Sequence, residues 1–345
     1  MTEREKIMRM IDESGTTASQ AYERRSERAS LARDHVRATD GLKQLNAWRR
    51  TLQIGFQWSV IAAAIALAEW SGSMSVVVLA VLVIATRQHA LLVLMHDAAH
   101  LLITRDKRRN DLISGVFLTF PLILSTSRYR AHHIAHHKHL NTPVDPDYAD
   151  AFAPARSAGF WKALVRDITG LSTVQSLRTM DSFSVIGLFT APKPSNRGER
   201  WQALVFYSCS AVAITACHAW LGLIVYWIAP LVFFLPPILR IRSLSEHAGL
   251  SGQSVLNDAR SVNPGWLERG LFAPCHINLH WEHHLFQQVP NYHLATLSRR
   301  LAERLPGSAA AVPTKGYLFG RRSMMAELYG ANGRARAVCP LDQEA

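Results

Sequence analysis

Two long stretches of this 345-residue chain are almost free of charge. Thr51 to Thr86 holds no Lys or Arg and a single acid, Glu69, and Ala203 to Leu239 holds no Asp, Glu, Lys or Arg. A helix of about 20 apolar residues is long enough to cross a bilayer, and inside hydrocarbon only a helix or a closed barrel satisfies its own backbone. The first stretch predicts a helix from about Leu52 to Trp70, a turn at Ser71-Gly72-Ser73, and a second helix from Met74 that continues into the segment ending at His100. That second helix must include Arg87, Gln88 and His89, which the cost of polar groups in lipid directs towards the bundle or the interface. The second stretch predicts another hairpin, turning near Trp220 to Gly222. The expected fold class is an all-α integral membrane protein with four transmembrane helices in two hairpins.

The remaining segments carry all 38 Lys and Arg residues, and the formal net charge is +12. No nucleic-acid recognition motif accompanies that charge, so it reads as basic flanks of membrane helices, with no nucleic-acid partner. Both hairpin tips lack Lys and Arg, which predicts that the basic side is cytoplasmic and that both chain ends lie there. In a bacterium this is the inner membrane. Residues 1–48 form a charged segment, 49–305 the membrane domain with a cytoplasmic helical cap, and 306–345 a tail. The start, MTEREKIMRMIDE, lacks the apolar core of a secretory signal, and Arg49-Arg50 reads as the flank of the first helix. Asp111 to Leu124 is too short to span and reads as re-entrant or interfacial. Ala153 to Leu171 has the pattern of an amphipathic helix at the membrane surface. Cys209, Cys217, Cys275 and Cys339 form no CxxC pair and imply no disulfide framework.

Ten of the sixteen histidines fall in three bursts: His96 and His100; His132, His133, His136, His137 and His139; and His280, His283 and His284. Residues at i, i+3 and i+4 share one helix face. His96/His100, His133/His136/His137 and His280/His283/His284 all have that spacing, and His247 follows the fourth predicted span. Because all emerge on one side of the bilayer, these nine imidazoles can meet. Nine exceed the needs of one metal, and two metals with four or five nitrogens each match the count. HExxH is absent, which disfavours zinc hydrolysis. Iron is favoured because histidine-rich open sites suit dioxygen chemistry; the ligand types also accommodate manganese or zinc.

HDAAH, HIAHH and HWEHH, in this order, resemble the three histidine boxes of the membrane fatty acid desaturase and hydroxylase superfamily. YRAHHIAHHKHLNTPVDPD, RSLSEH and HINLHWEHHLFQQVPNYHL extend the likeness over roughly residues 50 to 305. The resemblance implies nine di-iron ligands, His96, His100, His133, His136, His137, His247, His280, His283 and His284, which are also the catalytic residues. It implies four membrane helices under a cytoplasmic helical cap, O2 as co-substrate, and a hydrophobic acyl-chain substrate reached from the bilayer. Gln287, Ala295 and Ser298 depart from the pattern near the third box but spare every ligand. No HPGG haem motif occurs, so electrons are expected from a separate transfer protein such as a ferredoxin. The implied reaction is desaturation of an acyl chain. Hydroxylation or ketolation of a lipid, carotenoid or small metabolite at the same site is the alternative, since box spacing does not report where the substrate sits. A metal transporter or sensor is disfavoured because the hairpins carry almost no intramembrane charge.

Several neighbours invite two readings. His132, His139 and His276 break the helical phase of the boxes and read as supporting or surface residues. His35, His89, His218 and His293 are isolated and read as structural. Asp97 and Glu246 adjoin ligands and either orient an imidazole or are merely solvated. Asn141, Asp145 and Asp147 either brace the second box or form a turn around Pro143 and Pro146. Trp161, Trp266 and Trp281 are candidates for a substrate tunnel, with interfacial anchoring as the rival role.

Overall fold

A computed structural model describes residues 17–142, 144–148, 153–173, 184–190, 196–250, 254–330 and 332–333. Residues 1–16 of the charged N-terminal segment, Pro143, and the tail from residue 334, with Cys339, lie outside the described residues. Among the described residues all regular structure is helical, and only three isolated β-bridges form. The helices are α1 (Thr17–Asp34), α2 (Ala47–Ser71), α3 (Met74–Ala99), α4 (Lys107–Ser114), α5 (Thr126–His139), α6 (Ser157–Ile168), α7 (Val185–Thr190), α8 (Arg197–Ala216), α9 (Trp220–His247), α10 (Trp266–Phe272), α11 (His280–Leu285), α12 (Asn291–Arg304) and α13 (Met324–Tyr329).

The first hairpin forms as its pattern predicts. Asn46 caps α2 by accepting from the Arg49 N–H at 2.9 Å. Gly72 ends the helix at φ 59°, a left-handed conformation that suits glycine. α2 keeps Trp48, Leu52, Phe56, Leu67 and Trp70 exposed on its outer side. α3 is different in kind. From Ile84 to Ala99 every side chain except Arg87 is buried, so this helix is the axis on which the others pack. Gln88 and His89 are fully buried, and Arg87 donates to Gln57 Oε1 at 3.1 Å, so these polar groups turn into the bundle.

Three helices are long and apolar enough to cross a membrane: α2, α3 and α9. Four were expected from the sequence. α8 lacks the required apolar window because its first turn carries Arg197, Glu199 and Arg200. The second hairpin also turns earlier than expected. The break falls at Cys217 to Ala219, with His218 at φ 51°, and Trp220 to Gly222 already begin α9. α9 then runs past Leu239 to His247, so this ligand candidate is the last residue of the helix, not a residue beyond it. Pro230 has no N–H to donate, and the turns around it widen to π geometry. Gln88 of α3 donates to the Trp227 carbonyl in that stretch at 2.9 Å.

The short segment after α4 does not span. It tightens from a π turn at Gly115–Thr119 to a 3-10 turn at Phe120–Leu122 and stops at Ile123, φ 61°. α6 is amphipathic as expected, burying Phe160, Leu164 and Asp167. Asp167 accepts from Arg240 Nη2 at 2.9 Å, tying α6 to α9. Chain on both flanks of the membrane domain enters the packing. Ala38 and Leu42 share a core with Trp281 and Leu297, and Tyr317, Met324 and Leu328 share one with Ile238 and Leu244.

α3 ends beneath the cap, where its last carbonyls need partners. Arg130 of α5 supplies them, donating to the Ala98 and Ala99 carbonyls at 2.9 Å each and pairing with Asp111 at 2.5 Å. Asn110 adds a bond to the Ala98 carbonyl at 2.9 Å. Removing one partner of a fully buried pair costs roughly 3–5 kcal/mol; Arg130 and Asp111 are part-buried and Asp111 keeps Lys107 as a second partner, so the loss here is a fraction of that. Arg130→Met is therefore expected to lower the apparent melting temperature of the lipid-embedded protein clearly, whereas Arg105→Met, at an exposed bond to the Lys43 carbonyl, is expected to leave it unchanged. Equal melting temperatures for the two variants would refute the capping role.

Candidate metal centre

Four elements deliver the histidines to one place. The end of α3 brings His96 and the following cap residue His100, α5 brings His133, His136 and His137, the end of α9 brings His247, and α11 brings His280, His283 and His284. The structure sorts all nine into two groups that could each hold a metal ion. His96, His100, His133, His137 and His283 form one, and His136, His247, His280 and His284 the other, with the candidate ligand atoms of each group within 4.8 Å of one another. Eight of the nine rings are buried, and His100 is half-buried.

The short contacts are between like atoms. His137 Nε2 lies 2.9 Å from His133 Nε2 and 3.1 Å from His283 Nε2. His280 Nε2 lies 2.9 Å from the Nε2 atoms of both His247 and His284. A neutral ring nitrogen has either one proton or one lone pair, so hydrogen bonding alone cannot satisfy three Nε2 atoms that meet this way. Two nitrogens bound side by side at about 2.1 Å from one metal stand about 3 Å apart, which matches these spacings. His96 Nε2 and His100 Nε2 are also buried without a hydrogen-bond partner. The donor set fits a bound metal pair.

Electrostatics favour ligation. Burial and neighbouring imidazoles hold His133, His137, His280, His283 and His284 well below the usual histidine range, and burial brings His100 down to about 4. These rings are neutral near pH 7, as a ligand must be. His136 differs. Burial lowers its pKa, but the hydrogen bond and charge of Asp145, with Asp147 behind it, outweigh burial and push it up. Its Nδ1 faces Asp145 Oδ1 at 2.9 Å, which fixes the Nδ1–H tautomer and turns Nε2 to the cluster.

The bracing residues are resolved in the same way. Asp145 accepts from the backbone N–H groups of Asn141 and Asp147 at 3.1 and 2.9 Å, so the turn reading and the bracing reading both hold. His132 sits 2.6 Å from Asp147 and supports the second box from outside. His139, His276, His35, His89, His218 and His293 belong to neither group. Glu246 lies 3.4 Å from His280 Nδ1, so it faces the third box and not its chain neighbour His247. Asp97 stands 3.9 Å from His96 Nδ1, too far for a hydrogen bond, and pairs with Arg50 at 2.8 Å. Arg50 is buried; the residue read as a simple basic flank locks α2 to the first box. It also donates to the Leu102 carbonyl, and Asn291 donates its backbone N–H to Asp97.

The tunnel expectation for the tryptophans is not met. Trp281 is 1% exposed and donates to the Val255 carbonyl within a packed core, while Trp161 and Trp266 are exposed. Ser298, one of the departures, bonds with Ser261 to the buried Glu282 and so supports the third box. Sequence reasoning missed Arg130 and Asn291. Arg130 precedes His133 by three residues on the same helix face, which was a usable signal. Asn291 acts through long-range contacts and left none.

Comparison with known proteins agrees with this geometry. A family model described as fatty acid desaturase matches residues 72–315. A dihydrorhizobitoxine desaturase from Bradyrhizobium elkanii is 26% identical over 306 residues, covering 82% of this chain and 85% of the relative.

Removal of a partner that orients a ligating histidine typically costs 10–100-fold in metal affinity. Asp145→Ala is expected to lose metal to a chelator at concentrations on the order of 10-fold lower than the parent, read by elemental analysis after desalting, with helicity unchanged. Parent-like retention would show that Asp145 serves the turn alone.

Proposed function

The chain belongs to the fatty acid desaturase family and is an oxidoreductase of the membrane, and on that premise we propose that it is an O2-dependent di-iron desaturase that introduces a double bond into a hydrophobic acyl chain. The observation that carries this reading is the convergence of nine imidazoles into groups of five and four. His96, His100, His133, His137 and His283 would hold one iron, and His136, His247, His280 and His284 the other. When bound, the two irons supply the dioxygen activation that removal of hydrogen from an unactivated methylene requires.

The chain's own residues do the rest. Burial of the rings keeps bulk water from the centre. Asp145 holds the Nδ1 proton of His136, and Glu246 faces Nδ1 of His280. The Arg50–Asp97 pair sets the height of the first box against α2. Two electrons per turnover come from a separate electron-transfer protein such as a ferredoxin. Desaturation is preferred over hydroxylation because the family description and the relative's name both specify it.

The proposed topology has four crossings, with α8 completing the second hairpin and the histidine groups on the cytoplasmic face. Its support is the absence of Lys and Arg at the tips near Gly72 and His218. Reporter fusions inserted at Gly72 are expected to be active only when the reporter works outside the cytoplasm. Activity of a cytoplasm-specific reporter there would invert the scheme.

The reaction is tested by expression in a host lacking the gene, followed by mass spectrometry of lipids and polar metabolites. A product two hydrogens lighter than its precursor is expected. A product heavier by one oxygen would replace desaturation with hydroxylation. His136→Ala and His283→Ala are each expected to abolish turnover and reduce bound iron while membrane insertion persists; full activity in either variant removes that residue from the ligand set.

A further inference from the structure

An exposed aromatic and basic patch stands on the cap, away from the histidine groups. α10 and the loop 314–323 enclose an open groove of about 500 Å³ lined by Asn263, Trp266, Leu267, Glu268, Lys315 and Phe319. Trp266 is 86% exposed, Phe319 74% and Leu267 57%, an unusual cluster for a water-facing cap. The groove is held open by design of the loop. Glu268 accepts the Tyr317 and Leu318 backbone N–H groups at 3.0 and 2.9 Å, which occupies its carboxylate and leaves Phe319 pointing out. Gly316 sits at φ 90°, and a Cβ there would meet Glu268 Oε2 at 2.7 Å.

The groove's lining holds one acid, Glu268, and the exposed charged groups around it are basic. Lys315, Arg321, Arg322 and Arg269 are exposed, and none forms a salt bridge among the described residues. The Lys315 backbone N–H donates to the Arg322 carbonyl at 2.8 Å, which brings these two basic residues side by side in the loop.

The height of the patch decides what it meets. Phe272 and Ala273, at the end of α10, share an apolar cluster with Ala85 of α3 and Ile238 of α9. The same cluster also holds Leu244, Ala248 and Tyr317, so it runs from the level of Ala85, eleven residues or roughly 16–17 Å to the membrane side of His96, up to the histidine level, and α10 packs along that boundary. Ile238 is also within the charge-free stretch that ends at Leu239. The chain that follows α6 also runs along α9, where Thr173 Oγ1 donates to the Val232 carbonyl at 2.8 Å. Aromatic side chains ringed by Lys and Arg at the apolar boundary of a bundle have the composition of an interfacial anchor.

We propose that the α10 groove is a lipid site: Trp266, Leu267 and Phe319 insert into the leaflet beneath the cap, and Lys315 with Arg321 and Arg322 binds the headgroup of an anionic phospholipid. This surface is distinct from the metal centre and holds whether or not the chain acts as a desaturase. The cap is thereby pinned to the bilayer at a second point beside the spanning helices.

The test uses the full chain in nanodiscs of phosphatidylcholine with phosphatidylglycerol. The emission lost in Trp266→Phe reports on that one side chain. It is expected to be quenched by nitroxide-labelled phospholipid and shielded from aqueous iodide. Each basic group near an anionic leaflet is worth roughly five-fold in occupancy, so Lys315→Gln with Arg321→Gln and Arg322→Gln is expected to lower the enrichment of phosphatidylglycerol over phosphatidylcholine among retained lipids by at least about five-fold. A Trp266 signal quenched by iodide and indifferent to the nitroxide lipid overturns the proposal and assigns the patch to a protein partner in water. Unchanged lipid enrichment in the triple variant overturns the headgroup assignment.

Discussion

Everything in this molecule is subordinate to the burial of imidazole nitrogens that have no hydrogen-bond solution among themselves. A buried polar group left unsatisfied costs about 1–3 kcal/mol, and a domain's whole stability is about 5–15 kcal/mol. Trios such as His247, His280 and His284, in which His280 Nε2 stands 2.9 Å from each of the other two Nε2 atoms, would consume much of that margin. A cation that accepts all the lone pairs at once converts the cost into a gain. The scaffold around the histidines can then be read as what holds the lone pairs on target while chain segments far apart in sequence are brought together. Arg130 fastens the end of α3 to α5, Arg50 fastens α2 to Asp97, and Asn141 joins the second box to the Asp258 carbonyl.

The parts of this design that repeat along the chain were legible. Charge-free length marked α2, α3 and α9, and i, i+3, i+4 spacing marked the faces of the boxes, because both are properties of one helix. The count of four or five nitrogens per metal was legible, but the membership of each group was not: His136 joins His247 and His284 while its neighbour His137 joins His96 and His283, a division that depends on how helices cross. The carboxylates illustrate the same limit. Asp97 and Glu246 each sit beside a ligand in sequence, yet Asp97 serves Arg50 and Glu246 faces His280. Trp281 lies inside a box and still packs as core, because its indole N–H found the Val255 carbonyl.

The second hairpin shows why boundaries drift. Gly222 looked like the turn residue, but the backbone needs left-handed geometry at His218, and Gly222 is taken up by α9. At the other end the charges from Arg240 onward looked like the end of a helix. They are instead neutralised in place, Arg240 by Asp167 and Arg242 by Glu246, so the helix continues to His247.

That continuation explains how a membrane bundle can hold a rigid site outside the hydrocarbon. Leu239 to His247 adds eight residues, about 12 Å, to α9 beyond its charge-free stretch. α3 likewise carries on from Arg87 through His96 without a break. His96 and His247 therefore stand on uninterrupted helices rooted in the bilayer, and helices position side chains more tightly than loops do. The second and third boxes have no such roots. α5 and α11 are short, and each is tied down by buried polar bonds, Asp145 to His136 for one and Ser261 to Glu282 for the other. Two histidines fixed by the membrane helices and seven fixed directly or indirectly against them is an arrangement in which loosening one tie shifts a whole group, so a bracing residue such as Asp145 acts on the metal through the imidazole it holds and its loss weakens the site without removing a ligand.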